Sequence, residues 1–95
     1  MKAKRSEKLF RSFDVWKRIQ SPKGVQRYRC FEDLASRKFC VQSSDFYRNP
    51  VTLQAVSELE KQFIELLIEQ SPFERSGGFS SIEAAIEDHD RIIEE

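Results

Sequence analysis

The chain offers few groups for catalysis or metal binding. It has one histidine, His89, within Glu87–Asp90, and two cysteines, Cys30 and Cys40, ten residues apart. Consecutive helical residues point about 100° apart, so the four ligand-type side chains around His89 do not converge on one ion. The cysteine spacing fits no zinc-finger or redox motif. We therefore expect packed, reduced thiols, a partly buried histidine, and no metal or other cofactor.

The motifs of common enzyme classes are also missing. No serine or cysteine lies in a nucleophile motif, and no lysine follows Gly77-Gly78 as a phosphate-binding loop requires. A chain of 95 residues that lacks these groups rarely builds a sequestered reaction site. We predict that the protein is not an enzyme.

The most suggestive feature is a mixture of basic and aromatic residues in the first half. If this half forms a sheet, one face carries Lys17, Arg27, Arg29, Phe31 and Lys38. Such a face can hold single-stranded nucleic acid, because cations meet phosphates and rings stack on bases. A solvated face, with arginine stems lying over Phe31, explains the same pattern. These five residues are the candidate face for a partner or for nucleic acid.

Charge is distributed unevenly between the two halves. Residues 1–50 carry 13 Lys and Arg against 5 Asp and Glu, a net +8, whereas residues 51–95 carry 3 against 11, a net −8. The basic half can face an acidic partner, or the two halves can face each other within the fold. We expect the internal explanation to hold for part of this charge.

Alternating runs and turn residues predict a three-stranded antiparallel meander after a basic tail over residues 1–9. The strands are expected over 13–20, 25–32 and 38–43, with a turn at Ser21–Gly24. A helix over Ser6–Gln20 is the rival interpretation.

A four-residue loop over Leu34–Arg37 places Cys30 opposite Val41, and a turn with a glycine bulge places Trp16 opposite Cys30. The predicted core face then carries Trp16, Tyr28, Cys30, Phe39 and Val41. The other face carries Phe13, Val15, Lys17, Ile19, Arg27, Arg29, Phe31, Lys38 and Cys40.

Two helices follow in the second half. Asn49 and Pro50 suit the start of a helix that runs to about Gln70. Its apolar residues recur at helical spacing and extend over more than one side: Leu53, Val56, Leu59, Phe63, Ile64, Leu66, Leu67 and Ile68. After a flexible link over 72–79, a capping box at Ser80 and Glu83 begins a second helix. Its apolar stripe contains Ile82, Ala85, Ile86, His89 and Ile93.

The order β-β-β-α-α predicts one small α+β domain over residues 1–95, with both helices packed on one face of the sheet. We expect a non-catalytic protein–protein interaction, adaptor or regulatory module, with self-association as one form of partner. The second interpretation is a nucleic-acid-binding module that uses the basic-aromatic face. The chain has neither a secretory signal nor an apolar run of about 18 residues, so we expect a cytoplasmic protein with no membrane partner.

Overall fold

A computed structural model describes residues 8–94 of the chain. Most of the basic tail predicted over 1–9 therefore lies outside the described residues. The described part is elongated, with principal extents of 53 × 29 × 21 Å. This shape leaves little interior, and seven apolar residues are buried: Tyr28, Cys30, Phe31, Cys40, Val41, Pro72 and Ala85.

The first half forms the predicted meander. Strands β1 (Phe10–Gln20), β2 (Lys23–Asp33) and β3 (Phe39–Tyr47) lie in the order β1-β2-β3, and both neighbouring pairs are antiparallel. Residues 10–20 are a strand, so the rival helix over Ser6–Gln20 is wrong for the residues that the structure describes. The strands are longer than predicted, because β1 begins three residues earlier at Phe10, β2 extends at both ends, and β3 continues to Tyr47.

The predicted β2–β3 register is correct from the loop to Cys30, beyond which a bulge shifts it by one residue, and the predicted β1–β2 register is wrong. Cys30 lies opposite Val41, as expected, but it faces Phe13 on β1 instead of Trp16. The turn contains two residues, and Gly24 belongs to β2, where a Cβ atom would lie 2.7 Å from the Phe46 ring. The shift by three residues exchanges the two faces of β1.

In the observed register, apolar side chains lie on both faces of the sheet. Phe13 and Val15 pack with Tyr28, Cys30 and Val41 on the first face. Trp16 lies opposite Arg27 on the second face. Phe31 and Cys40, which pair across β2 and β3, are also on the second face. Both faces therefore carry large apolar groups that need a cover.

Three helices follow the sheet: α1 (Leu53–Glu69), α2 (Pro72–Ser76) and α3 (Ile82–Glu94). The residues that cap α1 and α3 at their N-termini differ from the predicted ones. Thr52, not Asn49, caps α1, because its Oγ1 accepts a 3.2 Å hydrogen bond from the Ala55 N–H. Ser81, not Ser80, has the corresponding bond at α3, from Ala84 at 3.1 Å.

The short helix α2 lies in the segment that was predicted to be a flexible link. Ser71 caps it by accepting a 3.3 Å hydrogen bond from the Phe73 N–H, and Pro72 occupies the first helical position. The next segment returns to the sheet, where Phe39 and Phe79 exchange two backbone hydrogen bonds of 2.8 Å. No helix among residues 8–94 combines the length and apolarity required to cross a membrane.

The predicted α+β class, a three-stranded meander followed by helices, is confirmed. The arrangement of the helices differs from the expectation of one shared face. Ala85 of α3 packs on the Tyr28 face, whereas Phe63 of α1 stacks on Phe31 of the second face, with ring centroids 5.7 Å apart. Each helix covers one of the two apolar faces, so the sheet lies between α1 and α3.

Candidate functional site

The structure brings together three of the five residues of the predicted basic-aromatic face. Arg27, Arg29 and Phe31 lie on the second face of β2, beneath α1. Lys17 lies on the first face, with its Nζ 3.7 Å from the Asp90 carboxylate. Lys38 is exposed in the loop that precedes β3. The five residues therefore do not form one continuous surface.

Arg29 is a buried charge at the centre of an ion-pair network. Its side chain is only 2% exposed, and its Nε donates to Asp45 at 2.6 Å. Its Nη1 lies 2.8 Å from Glu60 of α1, and the guanidinium stacks over the Phe63 ring at 4.7 Å. Burial alone disfavours the Arg29 charge, but the hydrogen bonds with Asp45 and Glu60 outweigh it and raise the pKa of Arg29.

Arg27 joins the same network. Its guanidinium lies 2.9 Å from Asp14 and 3.1 Å from Glu60, and it covers the Trp16 ring at 5.3 Å. The hydrogen bond with Asp14 is the main cause that raises the pKa of Arg27. The bond with Arg29 is the main cause that lowers the pKa of Glu60. Part of the opposite charge of the two halves is thus matched internally, as expected.

The two thiols are buried, and the imidazole is partly buried. Cys30 and Cys40 are fully buried and free, and they lie on opposite faces of the sheet. Burial raises the pKa of each thiol to about 12, so neither forms a thiolate nucleophile near neutral pH. The His89 Nε2 lies 3.0 Å from Ser44 Oγ, and burial lowers the pKa of His89. Among residues 8–94, no three potential metal ligands cluster together.

A cleft of about 250 Å³ with a mixed polar and apolar lining lies between β3, α2 and α3. Gln42 lines it at the irregularity in the β2–β3 pairing, where β3 has one extra residue between the partners of Arg29 and Cys30. Gln42 is 2% exposed, and neither polar atom of its amide has a partner among the described residues. A bulge can redirect a side chain in this way. The sequence offered no signal for it, because the bulge arises from strand pairing.

A larger cleft of about 460 Å³ lies at the turn end of the sheet. Arg18, Lys23 and Arg48 line it together with apolar side chains. None of these three residues was among the predicted site residues. Their positive charges were visible in the sequence, but only the β1–β2 turn and the chain after β3 bring them to one place.

The outward side of α1 is an exposed apolar surface. Leu53, Ile64 and Ile68 are 82%, 52% and 78% exposed, respectively. We call these three residues the outer flank of α1. The broad apolar pattern of this helix did predict contacts on more than one side, but the sheet covers only the side that carries Phe63.

Comparison with known proteins gives no relative: no family model, curated protein or solved structure matches the chain.

Proposed function

We propose that this protein is a non-catalytic protein-interaction module that docks a partner on the outer flank of α1. The exposure of Leu53, Ile64 and Ile68 carries this proposal, because no described residue covers them. Full burial of such a side chain contributes roughly 1.5–3 kcal/mol. Scaled by their exposed fractions, the three side chains leave about 3–6 kcal/mol of apolar burial unused.

Helical geometry places the three residues on one side of α1, with Leu53 about 16 Å along the axis from Ile64. Ile64 and Ile68 are four residues apart and are therefore neighbours on the helix. Leu53 precedes Ile64 by about three turns, which returns it to the same side. Phe63, one residue before Ile64, points about 100° away toward Phe31. The flank therefore remains open while the inner side of α1 holds the sheet.

The surrounding charges favour a cationic partner. Exposed carboxylates of Glu58, Glu65 and Glu69 lie on the solvent side of α1, about 100–140° round the helix from Ile64, and Lys61 is the only basic residue in α1. Lys61 is bound to Glu65 at 2.7 Å. An amphipathic helix with an apolar face and Lys or Arg beside it complements this surface. A second copy of α1 would oppose these carboxylates to their own kind, so we rank self-association lower.

Nucleic-acid binding through the basic-aromatic face is the second candidate. Its support is weakened by the contacts of Arg27 and Arg29, which already bind Asp14, Asp45 and Glu60. A phosphate would have to displace these carboxylates and α1. We therefore rank it below docking on the helix.

The test uses a synthetic peptide of about 18 residues that forms an amphipathic helix. Leu occupies positions i, i+3, i+4 and i+7, and Lys occupies the others. We expect the full chain to bind it in calorimetry, and a peptide with Glu in place of Lys to bind at least tenfold more weakly. Ile64→Gln with Ile68→Gln should reduce affinity at least tenfold, about 1.4 kcal/mol. Ile92→Gln with Ile93→Gln, two exposed apolar residues of α3, is the matched control and should bind normally.

Equal binding by wild type and the α1 variant would refute docking on this flank. Sedimentation distinguishes a cationic partner from a second copy of this chain. A wild-type dimer that dissociates in the α1 variant, without peptide binding, would replace the cationic partner with a second copy.

A further inference from the structure

The cleft at the turn end of the sheet has an unusual charge environment. Arg18, Lys23 and Arg48 line it, and no Asp or Glu is among its lining residues. None of the three cations has a carboxylate within 4.0 Å among residues 8–94. By contrast, Arg27 and Arg29 in the middle of the sheet each contact two carboxylates. The cleft thus concentrates positive charge that no carboxylate of the described residues neutralises.

The beginning of α1 adds to the same field. Val51 lines the cleft, and the helix starts two residues later at Leu53. The first turn of α1 contains no acidic residue. Thr52 caps the Ala55 N–H, and the remaining unpaired N–H groups of this helix start carry partial positive charge that no acidic side chain of the first turn offsets. An anion entering the cleft meets three cations close to a helix start and no negative side chain in its lining.

Aromatic rings lie next to these charges. The Tyr47 ring lines the cleft, and the Trp16 ring lies 6.1 Å from it on the same face of the sheet. Arg27 covers one side of the Trp16 ring, but Trp16 is 53% exposed, so a flat ligand can reach the rest of it. Bases of single-stranded nucleic acid stack on exposed aromatic side chains while cations contact the phosphates. A free phosphate ion would use the cations but not the rings.

We propose that this cleft binds single-stranded nucleic acid, with Arg18, Lys23 and Arg48 contacting phosphates and Trp16 stacking on a base. The site is separate from the outer flank of α1 and does not depend on the proposed protein partner. It also differs from the basic-aromatic face, because its cations are unpaired.

The test measures anisotropy of a fluorescein-labelled oligothymidylate of about ten nucleotides with the full chain. Each phosphate contact of a single strand contributes about 0.7 to the salt slope, so three contacts predict a slope of about 2. Affinity should then fall about 20-fold between roughly 50 and 200 mM salt. The variant Arg18→Gln, Lys23→Gln, Arg48→Gln should lose this salt dependence and most of the binding.

A charge-matched variant, Lys38→Gln, Lys61→Gln, Arg75→Gln, removes three cations outside this cleft and should bind like wild type. Trp16→Leu should weaken binding about fivefold or more while leaving the salt slope unchanged. The proposal is overturned if no binding occurs at about 50 mM salt. It is also overturned if both triple variants lose binding equally, or if unlabelled inorganic phosphate competes as well as oligothymidylate at equal concentration.

Discussion

Replacing Arg29 by methionine tests whether the basic residues of β2 are structural. The Arg29 side chain is 2% exposed and binds Asp45 at 2.6 Å and Glu60 at 2.8 Å. Methionine keeps an apolar stem but leaves the Asp45 side chain, itself 12% exposed, without its cation. Loss of one member of a buried ion pair costs about 3–5 kcal/mol. That is a large part of the roughly 5–15 kcal/mol that stabilises a small domain.

Urea unfolding followed by circular dichroism measures this loss. With a slope of about 1–3 kcal/mol per molar urea, the midpoint for Arg29→Met should fall by at least about 1 M. Arg18→Met is the matched control, because Arg18 is an exposed cation without a carboxylate partner, and its effect should stay within about 0.5 kcal/mol. Adding Asp45→Asn to Arg29→Met should restore part of the stability by removing the unpaired carboxylate. Equal midpoints for Arg29→Met and Arg18→Met would refute the buried network.

Three further substitutions test other parts of the structure. Gly24→Ala forces a methyl group against the backbone and ring of β3, so we expect a loss of about 1–3 kcal/mol in thermal unfolding; an unchanged melting temperature would contradict this contact. Gln42→Leu removes two buried, unpartnered amide atoms and should raise stability by about 1 kcal/mol, whereas a loss would show that the amide has a partner. The pKa of His89 is lowered from 6.5 in the folded state, so stability should fall as pH decreases below about 6.5, and His89→Gln should remove that part of the decrease.

The sequence predicted the meander and the β2–β3 register between the loop and the bulge at Gln42, because local signals determine both. The short loop after Asp33 leaves few alternatives for pairing, and Cys30 and Val41 lie opposite each other as expected. The β1–β2 register failed because Gly24 was interpreted as a turn residue. It lies within β2, where the close approach of Tyr47 and Phe46 requires the absence of a side chain. That requirement comes from β3 and is invisible in the local sequence.

The same error affected the candidate site. Shifting β1 by three residues moved Trp16 from the predicted core face to the face that carries Arg27 and Arg29. The pairing of Arg29 with Glu60 joins residues 31 positions apart and depends on α1 crossing the second face. Total charge predicted that the two halves attract each other, but it did not indicate which cations would remain unpaired. Arg18, Lys23 and Arg48 are identified only once the partners of the other cations are known.

The most direct test of docking on the outer flank of α1 is a ¹⁵N–¹H nuclear magnetic resonance titration of the full chain with the Leu/Lys peptide. We expect docking on this flank to produce the largest shift changes at residues 64–68 of α1, with α3 and the β1–β2 turn nearly unchanged. Shift changes concentrated at the turn end of the sheet, or no changes in α1 at a saturating peptide concentration, would contradict it.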